Sequence, residues 1–165
     1  SQLFIVAGFI YTYKLAKFFL NTTKAICSVM ILEACTYYTW MVYINSYNCN
    51  IILMALWPMV TYYFYKAIQM NKIQDWILFG ITSALSFLGK YQIVFLFIGL
   101  LLYLIFADKK QFKEKGLYIS ILIGLIIIAP HVVWLFKTDF FSFLVNHRHL
   151  DYEGGTNSKF TLCMD

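Results

Sequence analysis

Between Trp76 and Ala107 the chain runs through 32 residues with a single charged side chain, Lys90. Between Leu117 and Phe136 it runs through twenty residues with none. Apolar runs of roughly 18 or more residues are transmembrane-helix candidates. In hydrocarbon, only a helix or a closed barrel satisfies every backbone N–H and C=O internally. A barrel would alternate apolar and polar residues along each strand; here the apolar residues come in blocks. The composition agrees, being 61% hydrophobic, 20% aromatic and only 13% charged over 165 residues, with a mean hydropathy of +0.69. A soluble domain carries about a quarter charged residues. The predicted fold class is all-α, a polytopic transmembrane bundle of about six membrane helices.

The twelve lysines and one arginine give a net charge of +5. They fall between the apolar runs, so they are read as topology signals and not as a nucleic-acid footprint. The expected spans are Leu3 to Tyr13, Ala25 to Ile44, Ile51 to Tyr65 and Leu117 to Phe136, with the Lys90 segment between the last two. Lys14, Lys17 and Lys24 mark a cytoplasmic turn, the uncharged turn NSYNCN (45–50) an external one, and Lys66 and Lys72 (the latter in the short loop MNKIQD, 70–75) a cytoplasmic one again. The most basic loop, DKKQFKEKG (108–116), should then be cytoplasmic too. A single crossing by Trp76 to Ala107 would put it outside, and would make a helix of about 48 Å against a hydrocarbon core of about 30 Å. A helical hairpin turning at Leu88-Gly89-Lys90 removes both conflicts, with glycine as the permissive turn residue. Its arms would be about 23–25 Å long, and Lys90 would sit at the outer interface, at the depth of lipid phosphates. Residues 1–136 are expected to form the membrane core. Residues 137–165 are expected to form a truncated extracytoplasmic loop, and Pro130 to kink the last span.

Few side chains in such a chain can carry chemistry. Lys90 reads either as a snorkelling interfacial lysine or as a cation for a phosphate, with Tyr91 and Gln92 adding hydrogen bonds. The most polar patch is Asn146-His147-Arg148-His149 with Asp151 and Glu153, a solvated loop or a site where Arg148 forks onto a phosphate or carboxylate. His147 and His149 lack a third ligand, so no metal site is expected. Glu33 stands inside a span, where an acid faces a partner or a wet cavity, and His131 reads as a buried or interfacial histidine. Cys27 and Cys35 read as small packing residues; Cys49 and Cys163 complete no metal or redox motif. Tyr43, Tyr47, Trp57, Trp76 and Trp134 fit an aromatic belt. The sequon at Asn21 falls on the cytoplasmic side and is discounted. The chain starts at Ser1 directly in an apolar run and ends at TLCMD, so it reads as an internal or truncated piece of a longer membrane protein.

The string DWILFGITSALSFLGKYQIVFLFIGLLLYLI (75–105) resembles the membrane core of glycosyltransferase family 39, which includes protein mannosyltransferases and lipid A aminoarabinose transferases. Trp76, Gly80, Leu85, Leu88, Lys90 and Tyr91 match a pattern common in its bacterial members, while Ser83 and Ala84 stand where a second glycine is common. YYFYKAI (62–68), and Pro130 and Trp134 followed by DFFSF (139–143), extend the likeness over roughly residues 1–145. Two departures are Leu135 for an asparagine and Asn50 for an aspartate. The resemblance implies a GT-C fold in the inner membrane, with a polyprenyl-phosphate-linked sugar donor, membrane lipids around it and no nucleic acid. The acceptor would be a lipid, glycan or protein on the extracytoplasmic side. The catalytic acid is expected upstream of Ser1, as general base or as holder of a divalent cation. The resemblance carries over one position, Lys90, which would take the donor phosphate; Tyr91 and Arg148 stay binding candidates on their own chemistry, and this piece alone would be inactive. A transporter segment or a non-catalytic membrane subunit are the alternatives.

Overall fold

The structure is a computed structural model that describes residues 2–35 and 49–137. Every regular element among them is helical: α1 (Gln2–Ala16), α2 (Thr22–Ala34), α3 (Cys49–Met70), α4 (Ile73–Gly89), α5 (Val94–Phe106) and α6 (Lys115–Lys137). Single 3-10 segments, Tyr91–Ile93 and Lys109–Lys113, join α4 to α5 and α5 to α6. The chain divides into two compact units, Ser1–Ile128 and Ala129–Asp165. The described part of the second is the end of α6, where half-buried His131 stacks on Trp134, 5.9 Å between ring centroids. Pro130 stands inside that helix, which continues to Lys137.

α3 is the axis of the first unit. Its first half is buried on nearly every side, with Ile51 and Leu53 to Leu56 all enclosed, and its second half buries one face through Val60, Phe64, Ala67 and Ile68. Pro58 has no N–H, so it cannot bond the carbonyl of Met54, four residues back. α1 crosses at that carbonyl with Gly8, where a Cβ would lie 2.6 Å from the Met54 oxygen. From there α1 and α3 run in the same direction. Tyr11 shares a hydroxyl–hydroxyl hydrogen bond with Tyr63 at 2.9 Å, and Phe18 and Phe19 pack on Tyr65.

α4 and α6 meet through small residues spaced by four, a pattern that lets backbones approach closely. Gly116 lies beneath the indole of fully buried Trp76, and Gly80 faces the backbone of Ser120. Leu104, near the end of α5, joins Trp76, near the start of α4, in one core cluster with Phe64, Ala67, Ile68 and Leu117. The chain therefore reverses at Lys90, as the expected hairpin requires. Glycine is not what permits the turn. No described glycine has a positive φ, and a Cβ at Gly89 would meet nothing within 4 Å. The break falls at Lys90, whose extended backbone (φ −167°, ψ 131°) any residue adopts.

Among the described residues two helices, Asn50–Met70 and Lys115–Lys137, are long and apolar enough to cross a membrane, while Gln2–Ala16, Ile73–Gly89 and Tyr91–Phe106 are shorter apolar helices. Outward faces are apolar too, with Phe95, Phe106, Leu125 and Ile126 all exposed. A soluble monomer rarely exposes patches of that kind, so the arrangement is that of a helical membrane bundle.

Several local expectations change. α2 runs from Thr22 to Ala34, and the rest of the span expected to reach Ile44 lies outside the described residues. Cys27 and Cys35 are exposed and do not pack in the chain's interior. Asn21 caps α2, its side chain accepting from the Lys24 N–H at 3.3 Å. The turn before α4 shrinks to Asn71 and Lys72, which puts Asp75 in the first helical turn. Trp76 is a core residue and not part of an interfacial belt; Trp57 is half-buried, Trp134 is exposed, and Tyr43 and Tyr47 lie outside the described residues.

Candidate functional site

The hairpin turn is built so that its lysine points away from the core. The last helical hydrogen bond of α4 runs from the Lys90 N–H to the Ser86 carbonyl at 3.1 Å, and the Lys90 carbonyl accepts from Ile93 at 3.3 Å. Ile93 is fully buried and pins the turn, while Lys90, Tyr91 and Gln92 are exposed. Tyr91 packs edge-on against Phe87, 5.2 Å between ring centroids, and so leans back on α4. The Lys90 ammonium donates to Asn50 Oδ1 at 2.8 Å, tying the turn to the first turn of α3. That is the only hydrogen bond of the Lys90 side chain among the described residues. An ammonium has three N–H donors, so two remain for another acceptor. The tether is a neutral amide, and no acid among the described residues pairs with the Lys90 charge.

A second lysine shows the opposite arrangement. Lys66 pairs with Asp75 Oδ1 at 2.7 Å, and the Asp75 side chain is 4% exposed. Asp75 Oδ2 is enclosed, with no hydrogen-bond partner among the described residues. Beside it, Asn71 adopts the left-handed region at φ 47°, uncommon for a non-glycine residue but tolerated by asparagine. Its side chain accepts from Trp76 Nε1 at 3.3 Å and donates to Glu114 Oε2 at 2.9 Å. The result is a polar knot that fastens α3, α4 and the start of α6, and whose lysine charge is cancelled. Sequence reasoning took Lys66 as a topology signal and missed the knot. An acid in the first helical turn after a two-residue connection was the available clue.

These contacts sort the charges by end. Lys14 lies over the Tyr11 ring at 4.9 Å and Lys66 over Tyr62 at 6.0 Å, with Tyr11 and Tyr62 in contact. The Asn71–Glu114 bond adds the loop of Lys109 to Lys115 to the same end. Lys90 stands with Asn50 at the opposite end of α3, about 24 Å from Lys66 along the helix axis. Between the hairpin and α6 lies a cavity of about 260 Å³, walled by Phe79, Phe97, Leu101, Ile121 and Leu125. Ser83 also lines it, with a hydroxyl oxygen that has no partner among the described residues.

A family model described as dolichyl-phosphate-mannose-protein mannosyltransferase matches residues 1–134. The chain belongs to that family. Membership places this mannosyltransferase-family protein among the membrane glycosyltransferases. It also favours an enzyme over the transporter and subunit alternatives. No curated protein and no solved structure gives a match. Within the family pattern, Trp76 and Gly80 hold α4 against α6, whereas Lys90 stands free of the core at the turn. Arg148 and the patch from Asn146 to Glu153 lie outside the described residues. Glu33 is exposed in the last turn of α2. No group of three or more His, Cys, Asp or Glu able to hold a metal ion occurs among the described residues.

Proposed function

We propose that this chain forms part of the donor site of a membrane glycosyltransferase that takes its sugar from a polyprenyl-phosphate carrier. Lys90 holds the donor phosphate and stabilises it as leaving group, with Tyr91 and Arg148 as further contacts. The observation that carries this role is the 2.8 Å tether of the Lys90 ammonium to the neutral amide of Asn50. The tether fixes a cation in place without cancelling it, and charge developing on a leaving phosphate is best met by such a preorganised donor. The apolar cavity between the same hairpin and α6 offers the prenyl chain a surface to lie on. The general base is not assigned to a residue of this sequence. Residues 1–136 are read as the multi-pass core in the inner membrane, with the Lys90 turn and residues 137–165 on the extracytoplasmic side. Transfer to a lipid, glycan or protein hydroxyl would take place there.

The test is sugar transfer by the intact enzyme carrying Lys90→Ala, Lys90→Gln or Lys90→Arg. Losing a hydrogen bond to a charged group costs about 1.5–3 kcal/mol. The first two should therefore lose roughly 10- to 100-fold in kcat/KM, with Lys90→Arg retaining part. Wild-type transfer by both Ala and Gln variants would sink the phosphate role. Single cysteines at positions 90 and 112 should label from opposite faces of sealed vesicles; labelling from one face defeats the topology.

A further inference from the structure

The turn between α5 and α6 directs its two kinds of charge in opposite directions. Its acids are occupied within the protein: Asp108 accepts from Gln111 Nε2 at 3.0 Å, and Glu114 from Asn71 Nδ2 at 2.9 Å. Both are half-buried. Its four lysines, Lys109, Lys110, Lys113 and Lys115, are exposed, and none of their side chains bonds to another described residue. The turn is held firmly. Phe112, in its middle, packs against the core cluster of Phe64, Trp76 and Leu104, and the Tyr118 hydroxyl donates to the Phe112 carbonyl at 2.9 Å. Asn71 brings exposed Lys72 to the same rim, since it bonds across to Glu114. Five like charges are thus displayed on a fixed scaffold, at the shared end of two apolar helices, with the local acids turned away.

Unmatched lysines at the end of apolar helices lie at headgroup depth, where each contributes attraction to an anionic leaflet. We infer that the rim formed by Lys72, Lys109, Lys110, Lys113 and Lys115 binds anionic phospholipid headgroups, and that this contact seats the α5–α6 end of the bundle in its leaflet. Phosphate oxygens of two or more lipids would take up the free ammonium donors, while Phe112 keeps the turn from lifting away. The inference does not depend on a donor-site role for Lys90, which stands at the other end of α3.

The experiment uses the intact protein in phosphatidylcholine bilayers containing spin-labelled phosphatidylglycerol or spin-labelled phosphatidylcholine. The reading is the relative association of the two probes with the protein. Wild type should select phosphatidylglycerol, with each lysine worth about fivefold at low salt and the selectivity screened away by salt. K109Q/K110Q/K113Q/K115Q should lose most of it, and the corresponding four arginine replacements should keep it. K14Q/K17Q, which leaves the rim intact, should change it little. Equal association of both probes with wild type overturns the inference, as does selectivity that survives the four glutamines. Loss in the arginine variant overturns it too, because that outcome reports a structural role for the turn and not a charge. Selectivity lost equally in K14Q/K17Q also counts against it, by showing a diffuse field.

Discussion

At the residue scale the two paired lysines differ by one atom type in the partner. Lys90 meets the amide of Asn50, and Lys66 meets the carboxylate of Asp75. Exchanging the partner chemistry should exchange the consequence. Asn50→Asp would convert the tether into an ion pair and cancel the charge offered to a phosphate. Donor KM should rise about tenfold while thermal stability holds or improves, which donor titration and a thermal unfolding curve would read together. Unchanged donor KM would mean that Lys90 does not meet the donor. At the other end, Lys66→Met leaves the Asp75 carboxylate buried and unpaired. Breaking a buried pair costs about 3–5 kcal/mol. Lys66 is about a third exposed, so a loss nearer about 2 kcal/mol is expected. The double variant Lys66→Met with Asp75→Leu should recover most of it, a coupling that a double-mutant cycle measures directly.

At the element scale the glycines separate into those that are needed and those that are not. A Cβ at Gly80 would lie 2.6 Å from the Ser120 carbonyl oxygen, and one at Gly116 would collide with the Trp76 indole at Cδ1 and Nε1. Gly80→Ala and Gly116→Ala should each push α4 from α6 and destabilise the bundle by about 1–3 kcal/mol. Gly89→Ala should be neutral or stabilising by about 0.4–1 kcal/mol, because the site is helical and open. Thermal unfolding of the three variants in one detergent checks the ordering, and a severe loss at Gly89 would contradict the turn geometry. This ordering is also where sequence reasoning reached its limit. Charge placement along the chain is a one-dimensional signal, so loop parity and segment length predict a reversal between Trp76 and Ala107, while its placement at Leu88-Gly89-Lys90 rests on the glycine and the lone lysine. Which glycine serves the turn and which the crossing depends on helix register against a neighbour, which nothing in a single run of apolar residues encodes. Trp76 was misassigned for the same reason, since an indole at a span end suits an interface until Gly116, forty residues on, supplies a slot.

At the scale of the whole molecule, the order of the helices among the described residues and the grouping of lysines at one end are legible in the sequence, because a bilayer restricts the solutions so strongly. The long-range ties are not. Lys90 to Asn50 and Asn71 to Glu114 join residues 40 and 43 positions apart, and each depends on how two helices rotate about their axes. The end-to-end sorting of charge follows from those ties, and it makes the bundle sensitive to whichever end is altered. Moving a lysine pair into the Asn50 turn should scramble orientation, which protease protection of sealed vesicles would show as a mixed population.

The hairpin is also short. α4, with 17 residues, and the Tyr91–Phe106 arm each reach about 25 Å, a few ångströms less than the hydrocarbon core they face. A bilayer accommodates a short inclusion by thinning around it. The membrane beside Lys90 should therefore be dimpled, with headgroups and water drawn down towards the turn. The length of the hairpin then becomes a thickness gauge. The enzyme should work better in short-chain than in long-chain phosphatidylcholine, and residues added to both arms should move that optimum to thicker membranes.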